Sequence, residues 1–111
     1  MAVERVKAGI WVQMALRLGN ANGRYGAVLH RGDPDAGGVL TVLRVPDGLV
    51  VLSQMRTAEG QLGWLRGTGP APVDQAAADA YIARQRRTDP DLWVIEFEAP
   101  DGLPPFEAML V

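Results

Sequence analysis

A chain of 111 residues, 48% hydrophobic and 22% charged, has the make-up of one ordinary globular domain and excludes a disordered polymer. The absence of cysteine excludes disulfides, thiolate metal sites and a cysteine nucleophile. Eleven Lys and Arg against thirteen Asp and Glu leave a net charge of -2, so bulk electrostatics exert no pull toward nucleic acid or an anionic membrane.

The amino-terminal apolar run is too short to span a bilayer and is interrupted by Gln13 and Arg17. With Glu4 ahead of it and no small-residue cleavage site, it does not read as a signal peptide, and a cytoplasmic location is expected. Residues 10–18, IWVQMALRL, fit two periods. At period two, Ile10, Val12, Met14, Leu16 and Leu18 share a face; at the helical period, Trp11, Met14, Ala15 and Leu18 form a stripe. Met, Ala, Leu and Arg favour the helix and Ile, Trp and Val the strand, so both readings stand, with the helix preferred. The following GNANG serves as a helix terminus or a hairpin loop.

From Arg24 to Arg66 the pattern is that of a β-meander. Strands are expected at Tyr25–His30, Val39–Val45, Leu49–Met55 and Leu62–Arg66, with turn chemistry between each pair. Pro46, Asp47 and Gly48 form the most specific turn, because Pro presets one φ and Gly accepts a positive one. Asp74 is the expected N-cap of a helix reaching Arg87, with Ala77, Ala78, Tyr81, Ile82 and Gln85 on its inner face. Asp89 before Pro90 stops that helix. A last strand, Leu92–Phe97, points Trp93, Ile95 and Phe97 into the core and carries Glu96 and Glu98 on its other face. Residues 103–111 read as a loosely packed tail of a single domain covering 1–111. The fold class is thus α+β: an antiparallel meander of four to five strands packed against one helix in the carboxyl-terminal half and a second at the amino terminus.

Three groups of residues could carry chemistry. Arg84, Arg86 and Arg87, with Asp89 and Asp91, could hold a small anion, because guanidinium forks bind phosphate or carboxylate bidentately. The plainer account is a helix end where the arginines complement the dipole and pair with Asp89 and Asp91. Glu96 and Glu98, two apart on a strand, could ligate a divalent cation; the solvated edge of a half-buried strand is the favoured account of them. In HRGDPDAGG, Asp33 and Asp35 could hold a cation, while His30 beside Arg31 and Asp33 is the one natural acid/base near neutral pH. A tight connection with aspartates capping their own backbone is the structural alternative. No phosphate loop, dinucleotide fingerprint or metal-binding histidine pair occurs, and no cofactor is expected.

Three segments, KAGIWVQMALRL, HRGDPDAGGVL and YIARQRRTDPDLWVIEFE, taken in that order resemble the bacterial family catalogued as domain of unknown function 1491. The family is mainly alphaproteobacterial, which agrees with arginine at every basic position except Lys7. The resemblance implies a stand-alone cytosolic protein of about this length and carries over no activity or catalytic residue. By subtraction, the expected function is a non-catalytic binding or protein-interaction module that engages a protein partner or a small anionic ligand. The alternatives are a metal-dependent hydrolase or nuclease-like enzyme using Asp33, Asp35, Glu96 or Glu98, and a weak RNA-binding domain using the arginines. Partnership with a membrane is not expected.

Overall fold

The computed structural model describes residues 6–111. Seven elements follow in order: α1 (Ala8–Ala21), β1 (Gly26–His30), β2 (Val39–Val45), β3 (Gly48–Arg56), β4 (Leu62–Arg66), α2 (Gln75–Thr88) and β5 (Trp93–Glu98). The five strands form one sheet in the order β1-β5-β2-β3-β4. The architecture is α+β, with two helices and a mostly antiparallel sheet, as the sequence led us to expect.

The topology differs from a continuous meander at one place. β2, β3 and β4 do pair antiparallel in succession, but β5 sits between β1 and β2. It runs antiparallel to β1 and parallel to β2, with Val39 opposite Trp93 and Leu43 opposite Phe97. Two crossings make this possible. The connection from His30 to Val39 passes over the start of β5, and α2 carries the chain from the edge strand β4 back to the central slot.

Residues 10–18 belong to the helix α1, which runs on to Ala21 and ends with Gly23 at φ +70°. The positive φ is the left-handed helix ending that glycine adopts without steric cost. The face of α1 turned to the sheet is Ala8, Val12, Ala15 and Gly19, not the Trp11, Met14, Ala15, Leu18 stripe of the helical reading. The reason lies underneath. That side of the sheet is filled by Trp64, Trp93 and Phe97, and a Cβ added at Gly19 would lie 2.6 Å from the Phe97 ring. Large residues on the sheet require small ones on the helix.

Helix α2 lies on the opposite side. Asp74 caps it as expected, its side chain accepting from the Ala77 N–H at 2.8 Å. Ala78 and Ile82 are buried against Leu40, Val42, Val51, Leu92 and Val94, with Tyr81 partly covered, while Ala77 is exposed. The alternation of β5 therefore separates two cores: Trp93, Ile95 and Phe97 belong to the α1 side, Leu92 and Val94 to the α2 side. Being covered on both faces, β2 and β5 have the near-continuous hydrophobic character of buried strands.

The tail read as loosely packed, 103–111, is tied to the sheet. Phe106 is buried against Trp11, Trp64 and Phe97. The Trp64 N–H donates to the Met109 carbonyl at 2.8 Å, and the Val111 N–H donates to the Trp64 carbonyl at 3.0 Å. Aromatic burial and two main-chain bonds hold a segment in which Pro104 and Pro105 leave no periodic pattern to read.

Candidate functional site

The fold brings two of the three charged stretches together. Because the 31–38 connection must cross β5, it lies against the residues that open that strand. The Asp33 N–H donates to the Asp91 carbonyl at 2.9 Å, the Trp93 indole N–H donates to the Asp33 carbonyl at 2.8 Å, and the Trp93 N–H donates to the Gly38 carbonyl at 2.9 Å. Gly32 and Gly37 are required here, since a Cβ at either would collide with the Asp91 carbonyl oxygen. The loop also reaches α1, where the Gly9 N–H donates to the Pro34 carbonyl at 2.9 Å. That bond satisfies one of the orphan donors of a helix whose Lys7 cap supplies no side-chain acceptor.

Two of the carboxylates at this end, Asp33 and Asp89, turn inward on their own backbone, while Asp35 lies 3.6 Å from the Lys7 ammonium. Asp33 accepts from the N–H groups of Asp35 at 2.8 Å and Ala36 at 2.9 Å. These bonds, Ala36 first and Asp35 second, hold the Asp33 carboxyl below its ordinary pKa. Asp89 accepts from the Asp91 N–H at 3.1 Å. His30 is exposed at the end of β1, opposite Val94.

Of the three arginines, Arg84 takes a partner other than the expected ones. Among the described residues no ion pair joins Arg84, Arg86 or Arg87 to Asp89 or Asp91. The Arg84 guanidinium lies 5.8 Å from the centre of the Tyr81 ring, and that of Arg31 lies 5.6 Å from Trp93, both in cation–π range. The end of α2 is closed instead by Thr88, whose hydroxyl donates to the Arg84 carbonyl at 3.5 Å, and by the Asp89 N–H, which donates to the Gln85 carbonyl at 2.9 Å.

The third stretch is elsewhere. Glu96, half-buried on the α2 side of the sheet, forms an ion pair with Arg44 of β2. Cross-strand register explains it: Glu96 stands opposite Val42, and Arg44, two residues on, falls on the same face. Glu98 is exposed at the end of the strand. Among the described residues no group of three or more His, Asp or Glu side chains is placed to hold a metal ion.

A feature missed by sequence reasoning lies on α1. With Ala8, Val12, Ala15 and Gly19 turned inward, Ile10, Met14 and Leu18 project outward at four-residue spacing and are 53%, 57% and 43% exposed. Beside them a solvent-open groove of about 430 Å³ runs between α1 and the tail, lined by Trp11, Met14, Leu18, Leu62 and Phe106. The signal that could have revealed it is the set of small residues at 8, 15 and 19, which marks the face that packs closely.

Residues 6–107 match the profile of the family described as protein of unknown function, DUF1491. The chain belongs to that family. A DUF1491 family protein from Caulobacter crescentus CB15, solved by crystallography, is 28% identical over 96% of this chain and 100% of its own, with a TM-score of 0.84. An NMR structure of a DUF1491 family protein from the same strain is 27% identical over 98% of this chain and 99% of its own, with a TM-score of 0.83. A protein from A. tumefaciens shares the fold at 24% identity, covering 97% of this chain and 98% of its own, with a TM-score of 0.78. No curated protein matches the sequence.

Proposed function

We propose that this DUF1491 protein is a non-catalytic binding module of the cytoplasm that engages a protein partner through the outer flank of α1. The observation that supports this reading is the contiguous apolar surface of Ile10, Met14 and Leu18 beside the groove walled by Leu62 and Phe106. Single exposed apolar residues are ordinary, whereas a continuous patch on a small domain has the character of an interface. Trp11 and Phe106, which line the groove, pack on each other and on the buried Trp64 behind them, with ring centroids 5.0 to 5.6 Å apart, and this makes the floor rigid.

The charged end of the sheet suits a small anion less well. Five cations there, of Lys7, Arg31, Arg84, Arg86 and Arg87, stand against four carboxylates, of Asp33, Asp35, Asp89 and Asp91, so the net positive field that could gather an anion is weak. The same balance weakens the RNA reading, which depends on phosphate neutralisation. In the proposed module His30, Arg31, Asp33, Arg84, Arg87, Asp89 and Asp91 are structural and solvating residues.

Affinity capture from an extract of the native cells tests the proposal. Wild-type protein retains a partner that Met14→Glu loses, because a carboxylate in an apolar contact is costly to desolvate. Arg84→Ala with Arg87→Ala retains it. A pattern in which the arginine variant loses the partner and Met14→Glu keeps it would overturn the assignment.

A further inference from the structure

The α1 groove carries one cation and one anion, Arg17 and Glu107, among its lining residues. Both are exposed, and neither forms an ion pair among the described residues. A surface with an apolar centre and one charge of each sign beside it is complementary to itself. Turned about a two-fold axis, the apolar centres meet while each Arg17 faces the other copy's Glu107, so the favourable pair forms twice. We propose that a second copy of this chain occupies the groove, in a dimer with α1 packed against α1.

The inference rests on the interaction reading and names its partner. Met14, the most exposed residue of the stripe, is unbranched and adapts its shape to an apolar slot, which suits it to enter the partner's groove between Trp11 and Phe106. A formal net charge of only -2 leaves little repulsion between copies. The outer flank of α1 also leaves the sheet and its two cores undisturbed, because the residues that hold the helix in place point the other way.

Sedimentation equilibrium over a series from micromolar to near-millimolar protein tests it directly. The expected result is an average mass rising from that of one chain toward two. Met14→Glu weakens the association at least about tenfold. Arg17→Glu and Glu107→Arg each weaken it when alone, and an equimolar mixture of the two single variants restores it, because both inter-chain pairs then re-form across the two-fold axis. Circular dichroism and thermal unfolding establish that each variant is folded. Wild-type protein that stays at one chain mass throughout, or a dimer that the charge variants and their mixture leave unchanged, overturns the inference. If the wild type does not self-associate while Met14→Glu still abolishes capture from extract, the dimer falls and the interaction reading stands. If Met14→Glu alters neither, both fall.

Discussion

The indole N–H of Trp93 donates to the main-chain carbonyl of Asp33 at 2.8 Å, joining two residues sixty positions apart. This bond fastens the crossing loop over the first residue of β5, the strand that enters the sheet between β1 and β2. Trp93 is buried, so its donor has no easy exchange with water.

Replacing Trp93 by Phe keeps an aromatic ring in the core and removes the donor. The expected cost is about 1–3 kcal/mol, from the carbonyl left without its bond and the smaller ring. Urea unfolding measures it, and the loop amides of Asp33 and Gly37 lose protection from hydrogen exchange in the same variant. Unchanged loop protection would show that the bond does not hold the crossing in place.

Gly19→Ala gives a prediction whose sign is diagnostic. In an exposed helix interior the change gains about 1 kcal/mol from propensity. Here the new methyl would lie 2.6 Å from Phe97 Cε1 and 3.0 Å from the Arg24 carbonyl oxygen. The overpacking cost of about 1–3 kcal/mol outweighs the gain, so the midpoint of thermal unfolding falls. Phe97→Leu in the same chain recovers part of the Gly19→Ala loss. Strict additivity of the two changes would place the strain elsewhere.

Acid stability should depend on Asp101. Arg24 donates two bonds to its carboxylate, at 2.8 and 2.9 Å, and the Leu103 N–H adds a third at 3.0 Å. The Arg24 bonds are the main cause of a carboxyl held well below the usual range, with the Leu103 bond next. A carboxyl depressed in the folded state stabilises fully above its unfolded value of about 4 and loses that contribution as pH falls toward the folded one. Asp101→Asn is therefore less stable than wild type at neutral pH, and the gap narrows as the solution is acidified below about pH 4. Melting temperatures of the two proteins across that range decide it; a gap of constant size would mean that the Arg24–Asp101 pair does not titrate with folding.

Much of the local structure was legible in the chain because its causes are local. Asp74 accepts from a backbone N–H three residues away, Gly48 takes φ +143° after the Pro46-Asp47 turn, and alternate residues of β5 face opposite cores. Each depends on neighbours within a few positions, so residue type and spacing were enough. The same holds for Asp33, whose carboxylate closes on the N–H groups of the next turn, as a loop rich in Asp, Pro and Gly leads one to expect.

What only the tertiary structure decided is which surfaces meet. A strand buried on both faces reads the same whether its neighbours run parallel or antiparallel, so the insertion of β5 beside β2 left no mark in periodicity. The partner of Glu96 depended on that insertion, since Arg44 reaches it from the parallel strand. The face that α1 buries was set by the size of Trp64, Trp93 and Phe97 beneath it, from two strands distant in the chain, β4 and β5. Those rings selected alanine and glycine for the contact and left Ile10, Met14 and Leu18 outside. Composition and spacing determined the elements of this DUF1491 protein; packing between remote segments determined which of its apolar side chains stay exposed.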